Sequence, residues 1–206
     1  MDVDFVEIGT SNFHTLIQTC SDAHRGFSID AISYYLKSLP DKPNVKKIHA
    51  AITSNRTCDT IDVYYIPEIA IETHRLPSWF KGCNRIGEYH PLHISWNIKH
   101  LVTIETVPLI NIDEFLEKHN IRKIRYMKID TEGHDAVILR GLFKYIETKP
   151  LEYFPDTIEF ESNEWMSDKE FLDILNKYIS LGYNVKSMSR ESDTILTLLP
   201  INETTQ

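Results

Sequence analysis

The stretch Met127–Leu142, MKIDTEGHDAVILRGL, sets Asp130, Glu132, His134 and Asp135 between an apolar strand-like run and an apolar helix-like run. Carboxylates at such a junction attract a cation, orient an amino group or receive the proton of a substrate hydroxyl. His134 adds a side chain whose ordinary pKa lies near neutrality. These residue types suit proton abstraction, with Asp130 or His134 as the base and Glu132 orienting it. The competing reading needs no chemistry, because Glu132 and Asp135 also complement the positive end of the helix that follows.

Two further acids stand at expected strand ends. Asp4 to Ile8 is an apolar run closed by Gly9, and GFSID repeats the pattern and ends on Asp30. In a doubly wound sheet, ligands bind outside the carboxyl ends of the strands, so Glu7, Asp30 and Asp130 are expected to face one crevice. The turn EIGTSNF has one glycine where a dinucleotide fingerprint has three. Without the extra glycines that let a backbone approach a pyrophosphate, it suits a phosphate-free nucleoside such as S-adenosylmethionine. Asp30 lies 23 positions after Glu7, close to the roughly 20-residue offset of a ribose-binding acid. It could equally cap the helix beginning at Ala31. Gly9, Ser11, Asn12 and Ala51 complete the expected cofactor pocket, with Glu7, Asp30 and Asp130.

The elements that must hold these groups alternate. Phe13, Leu16, Ile17 and Cys20 recur at helical spacing after the first strand, and Ile32, Tyr35, Leu36 and Leu39 after the second. KKIHAAIT reads as a third strand, and Ile61, Val63 and Tyr65 alternate. LVTIETVPL restores regularity, Asn111 caps a helix with Ile112, Phe115 and Leu116, and IRYMKID and PDTIEFES are strands. Phe171, Leu172, Leu175 and Tyr178 mark another helix, ended by Gly182. Alternating strands and helices predict parallel pairing with helices on both faces. NVKSMS and TILTLL are separated only by Arg190 to Asp193, and a parallel crossover needs about a dozen residues, so this last pair must be antiparallel.

Between Pro67 and His100 the chain runs through prolines, glycines, Trp79 and Trp96 without a sustained period, as an irregular lid or substrate segment does. Cys83, His90, His93 and His100 invite a zinc reading there, but their spacing fits no standard site. His90 and His93 are instead expected to touch substrate or cofactor, and the two tryptophans to stack on a sugar or adenine or to pack in the core. A metal-assisted variant would gather Asp130, Glu132, Glu159 and Glu161 around Mg²⁺. No tight ligand spacing demands it, and no metal is assigned.

The 206 residues, 42% hydrophobic and 25% charged, suit a single domain, since one core absorbs chains up to roughly 250 residues. A net charge of −8 with scattered Lys and Arg argues against nucleic acid as a partner. Three cysteines without a CxxC pair suit a reducing compartment. The acidic MDVDFVEIG lacks a basic leader, and no apolar window approaches the ~18 residues of a spanning helix. The expectation is a cytoplasmic protein without membrane contact.

KIDTEGHDAVILRG resembles the KIDxEGxE or KIDxEGxD signature of FkbM-type methyltransferases. VPLINIDEFLEKHNIRKIRYMKID resembles the segment preceding it, and the likeness runs from EIGTSNF through LPSWFKGCNRIGEYHP to IEFES and LGYNV. Ser11 stands where a second glycine is common in that family, and the sequence opens directly on its first strand. The resemblance implies an α/β, Rossmann-like class I methyltransferase fold: a mostly parallel seven-stranded sheet with helices on both faces and a terminal antiparallel hairpin. It implies S-adenosylmethionine as cofactor and methyl transfer to oxygen, with a sugar, glycan or related small molecule as acceptor. Glu7, Gly9 and Asp30 carry over as cofactor-pocket positions, and Asp130, Glu132 and His134 as catalytic-edge positions. A silent binding module that kept the fold, or a nucleotide-sugar oxidoreductase, are the competing classes. The missing glycines and the closing hairpin argue against the oxidoreductase, and the acids at three strand ends against the silent module.

Overall fold

The computed structural model describes residues 1–12 and 14–199; Phe13, a position of the first helical stripe, and residues 200–206 lie outside the described residues. The chain opens with β1 (Asp2–Ile8), α1 (Leu16–Thr19), β2 (Gly26–Asp30), α2 (Ser33–Ser38) and β3 (Val45–His49). Every residue of β2 is buried, as expected for a parallel strand covered on both faces. α1 is a single turn, shorter than its apolar stripe suggests. The expected third strand is in fact two: the chain breaks at Ala50, and β4 (Ala51–Thr53) joins a different sheet.

That second sheet is a finding the alternation did not predict. β5 (Thr60–Tyr65), α3 (Glu68–Thr73), β6 (Arg85–Ile86), α4 (Pro91–Ser95) and β7 (Thr103–Asn111) follow, and the four strands pair in the order β4-β7-β5-β6. The segment expected to be irregular is built of short helical turns around its own small core of Ile66, Ile71, Phe80, Cys83 and Ile98. Short turns carry no sustained period, which is why the sequence reads as irregular there.

The chain then returns to the main layer with α5 (Ile112–Lys118), β8 (Lys123–Ile129), α6 (Asp135–Ile146), β9 (Thr157–Glu161), α7 (Asp168–Ser180), β10 (Tyr183–Ser187) and β11 (Asp193–Leu198). Ser167 caps α7 by accepting from Glu170 N. Ile174, rather than the expected Leu172, completes its buried face with Phe171, Leu175 and Tyr178, and Leu172 is exposed. The main sheet has seven strands in the order β10-β11-β9-β8-β1-β2-β3. β9, β8, β1, β2 and β3 are parallel, and β11 runs antiparallel to both β9 and β10. This is the Rossmann-like sheet with a closing hairpin read from the sequence. Val6, Ile29, Met127, Leu139, Leu142, Ile158 and Phe160 are fully buried in its core, each contributing about 1.5–3 kcal/mol by leaving water.

Register decides where the acids go. Ile8 pairs with Ile29 of β2 and with Ile129 of β8, and Ile129 pairs with Phe160 of β9. The residues that follow, Gly9, Asp30, Asp130 and Glu161, therefore line up along one edge. Asp193 joins them, because it pairs with Glu161 across β11. β1 lies between β2 and β8, where the strand order reverses, and such a switch point opens a crevice at the carboxyl ends.

Candidate functional site

A cavity of about 360 Å³ opens at that edge. Part of its lining is apolar: Ile29 and Ile32 from β2 and the loop after it, and Ala51, Ile52, Val63 and Ile86 from the second sheet. Asp130, Glu132, Glu161 and Asp193 also line it and form its carboxylate wall. Oxygens of Asp130, Glu132 and Glu161 all lie within 4.8 Å of one another. Like charges this close cannot all ionise, so the group either shares protons or gathers around a cation.

Burial raises the pKa of each member. Asp130 is pushed up to about 6, first by removal from water, against the pull of Lys128, and further by Asp193, Glu159 and Asp30. Glu132 and Glu161 are raised further. Burial is the main cause for both; Glu161 and Asp130 then act on Glu132, and Asp130 and Asp135 on Glu161. The side-chain oxygen Oε2 of Glu161 is buried without a hydrogen-bond partner. Glu132 is held at φ +53, the left-handed region that a residue with a side chain enters at a cost of about 1–3 kcal/mol and that clusters at active sites.

Asp30 lines the cavity from the β2 end. Its Oδ2 accepts from Ser11 N at 2.7 Å and Thr10 Oγ1 at 3.4 Å, and its Oδ1 from Ile32 N at 2.6 Å. These bonds tie Asp30 to the turn after β1 and to the backbone leading into α2. Despite three donors, burial still lifts its pKa to about 6. Gly9 sits at φ +81, and a Cβ there would meet the Asp130 carbonyl oxygen at 1.7 Å. The close approach of two strand ends, as much as any ligand, requires a glycine.

Residues 7–185 match the methyltransferase FkbM domain. The chain belongs to the FkbM methyltransferase family. Neither the curated proteins nor the solved structures offer a match to it.

Gly9, Ser11, Asp30, Ala51, Asp130, Glu132 and His134 of this methyltransferase all line the one cavity. Glu7 and Asn12 do not. Glu7 is fully buried, and both its oxygens accept from Leu16 N, at 3.0 and 3.1 Å, so it shapes the turn from behind. Burial raises its pKa to about 7 over the opposing effect of that hydrogen bond. Asn12 instead donates to Glu68 at 3.2 Å. Asp135 is buried and accepts from Thr131 Oγ1 and Gly133 N, bracing the turn between β8 and α6. His134 contacts Thr53 Oγ1 through Nε2 at 3.1 Å, and burial with Arg85 and Arg140 nearby lowers its pKa to about 4.

His90 and His93 are fully buried and absent from the cavity wall, which corrects the expectation that they touch a ligand. His90 accepts from Leu92 N at the start of α4 and packs 4.8 Å from the Trp165 ring. Among the described residues, Asp130, Glu132 and Glu161 are the group spaced for a metal; Cys83, His90, His93 and His100 do not form such a group, although the His90 and His93 rings lie 5.7 Å apart, and Glu159 is engaged by the Tyr126 hydroxyl. Trp79 and Trp96 are half exposed around Phe80, neither core nor cavity. The sequence reading missed Arg85, the one Lys or Arg among the described lining residues, and Gly82, Asn84 and Asp193. Only Asp193 left a trace, since a hairpin returning beside the last parallel strand must place its first residue at that strand's end. Among the described residues no helix is long and apolar enough to cross a membrane.

Proposed function

We propose that this methyltransferase uses S-adenosylmethionine to methylate a hydroxyl of a sugar, glycan or related small molecule. The observation that carries the reading is the cavity itself: an apolar slot, an acid beside the strand-end turn and a carboxylate wall, all at one switch point. Ile32, Ala51, Ile52, Val63 and Ile86 would hold a purine and Asp30 the ribose diol, leaving the carboxylate wall to face the methyl group and the acceptor. When bound, the cofactor supplies a methyl group activated on a sulfonium. The chain's own residues orient the acceptor and take its proton.

Asp130 is the base in this reading. Its pKa of about 6 leaves it ionised at neutral pH yet more basic than an ordinary carboxylate, which is where general bases are effective. Glu132 and Glu161, whose neutral forms burial and the neighbouring carboxylates favour, hold the hydroxyl in line by hydrogen bonds, the positioning on which a displacement depends. His134, held neutral, orients rather than abstracts, because its lowered pKa makes it a poor base. A second reading rests on the 4.8 Å spacing of the three carboxylates: Mg²⁺ there would lower the hydroxyl pKa directly. A rate insensitive to chelator decides for the protein base.

S-adenosylhomocysteine at 100-fold its dissociation constant should stabilise the fold by about 2.7 kcal/mol, seen as a raised melting temperature that NAD does not produce. No shift, or an equal shift with NAD, defeats the proposal. Methyl transfer should rise through pH ~6 as Asp130 ionises, and Asp130→Asn should abolish it.

A further inference from the structure

Gly82 follows the 3₁₀ turn Ser78–Lys81 with φ −78 and ψ −21, a conformation open to any residue. The backbone therefore does not require glycine here. A Cβ on Gly82 would lie 2.7 Å from Glu132 Oε1, and the next nearest atoms are Trp79 O at 3.4 Å and Glu132 Cδ at 3.7 Å. What excludes a side chain is the Glu132 carboxyl itself, the free end of a flexible side chain that rises from a left-handed backbone.

The segment carrying Gly82 is tied elsewhere. Tyr35 OH and Asn84 Nδ2 both donate to Lys81 O, at 3.2 and 2.9 Å. Lys81 pairs with Glu68, which also accepts from Asn12 Nδ2 at 3.2 Å and from Tyr34 OH at 2.7 Å. On the far side, Gly133 next to Glu132 lies against Trp165, whose ring contacts His90. The turn after β1, the 3₁₀ turn and the catalytic turn are thus in one chain of contacts.

We propose that Gly82 is a positioning residue: its missing side chain lets the segment over the cavity close onto Glu132 while leaving that carboxyl room beside Asp130 and Glu161. The inference rests on the assignment of this carboxylate wall to methyl transfer. It couples seating of the 67–102 segment to the orientation of Glu132, so the site is complete only with the segment down.

Gly82→Ala tests it. The variant displaces a flexible side-chain end rather than backbone, so its melting temperature should stay within about 2 °C of wild type. Crystal structures of both proteins with S-adenosylhomocysteine should show the Glu132 carboxyl moved out of the 4.8 Å cluster in the variant only. Turnover of S-adenosylmethionine with a panel of hexoses and nucleotide sugars should fall in kcat by roughly ten- to hundred-fold, the cost of an ångström-scale misplacement, with KM nearly unchanged. Glu132→Asp, which shortens the side chain, should cost much less in the Gly82→Ala background than alone, because the two changes act on one contact. A Glu132 carboxyl still in place in the variant crystal, a kcat within twofold of wild type, or losses that simply multiply would each overturn the proposal. Full activity in Glu132→Ala would instead overturn the role of Glu132 in transfer, leaving the crystallographic outcome to decide the contact.

Discussion

Glu7 is a carboxyl sealed beneath the turn after β1, and its charge should be a pH-dependent liability that Glu7→Gln removes. The ordinary value of 4.5 becomes about 7 in the fold, chiefly through burial. Between those values the folded chain binds a proton that the unfolded chain has released, so stability falls as pH rises through the window and is level above it. Integrating the two titrations gives a cost of roughly 1 kcal/mol at pH 5 and roughly 3 kcal/mol at pH 8. A glutamine keeps an oxygen for Leu16 N and carries no charge. The variant should therefore gain roughly 2 kcal/mol on wild type between pH 5 and pH 8, worth roughly 4–8 °C in a chain of this size. Urea unfolding of both proteins at unit pH steps is the assay, and the difference between them cancels the other raised carboxyls. A difference that does not vary with pH would show that Glu7 is not titrating under the turn. A variant that loses ground as pH rises would show that the Leu16 bond outweighs burial, which refutes the ordering of the two effects. S-adenosylhomocysteine affinity should change little, since Glu7 is not on the cavity wall.

Asp30→Asn loses one of two accepting oxygens and the charge that strengthens the bonds from Ser11 and Ile32; calorimetry should show S-adenosylhomocysteine affinity weakened by roughly ten- to hundred-fold, and unchanged affinity would remove Asp30 from the pocket. Gly141→Ala puts a Cβ 2.4 Å from the Ser54 Cβ and 2.8 Å from Ile112 Cγ2, so the overpacking cost of about 1–3 kcal/mol should exceed the roughly 1 kcal/mol helix gain, giving a lower melting temperature. His90 is held neutral by burial, then by His93 and Arg85, with its pKa lowered from 6.5 to about 4. Its contribution is present above pH 6.5 and lost as pH falls towards 4, so His90→Asn, which keeps an acceptor for Leu92 N, should lose less stability than wild type on acidification.

The parallel core was legible because its strands are continuous apolar runs and its helices repeat at 3.6 residues; both signals are local. The closing hairpin was legible from the four residues that join it, a covalent limit on reach. The acids at the ends of β2 and β8 could be named from the sequence, as could the KIDTEGHD block. The second sheet could not, because β4 looks like a continuation of β3 until the chain turns at Ala50, and β6 is two residues long. Nor could the sequence separate Asp30, in the cavity, from Glu7, beneath it, since both are acids at a strand end. Register settled that: Ile8 pairs with Ile29, so Asp30 lies one residue beyond the end of β1 while Glu7, paired with Ser28, lies one residue short of it. The sequence by itself determined which residues are acidic and which elements carry them. Only the tertiary structure determined that Asp130, Glu132 and Glu161 meet, that a side chain at Gly82 would run into Glu132, and that burial moves the carboxyl pKa values, because all three depend on distances between segments far apart in the chain.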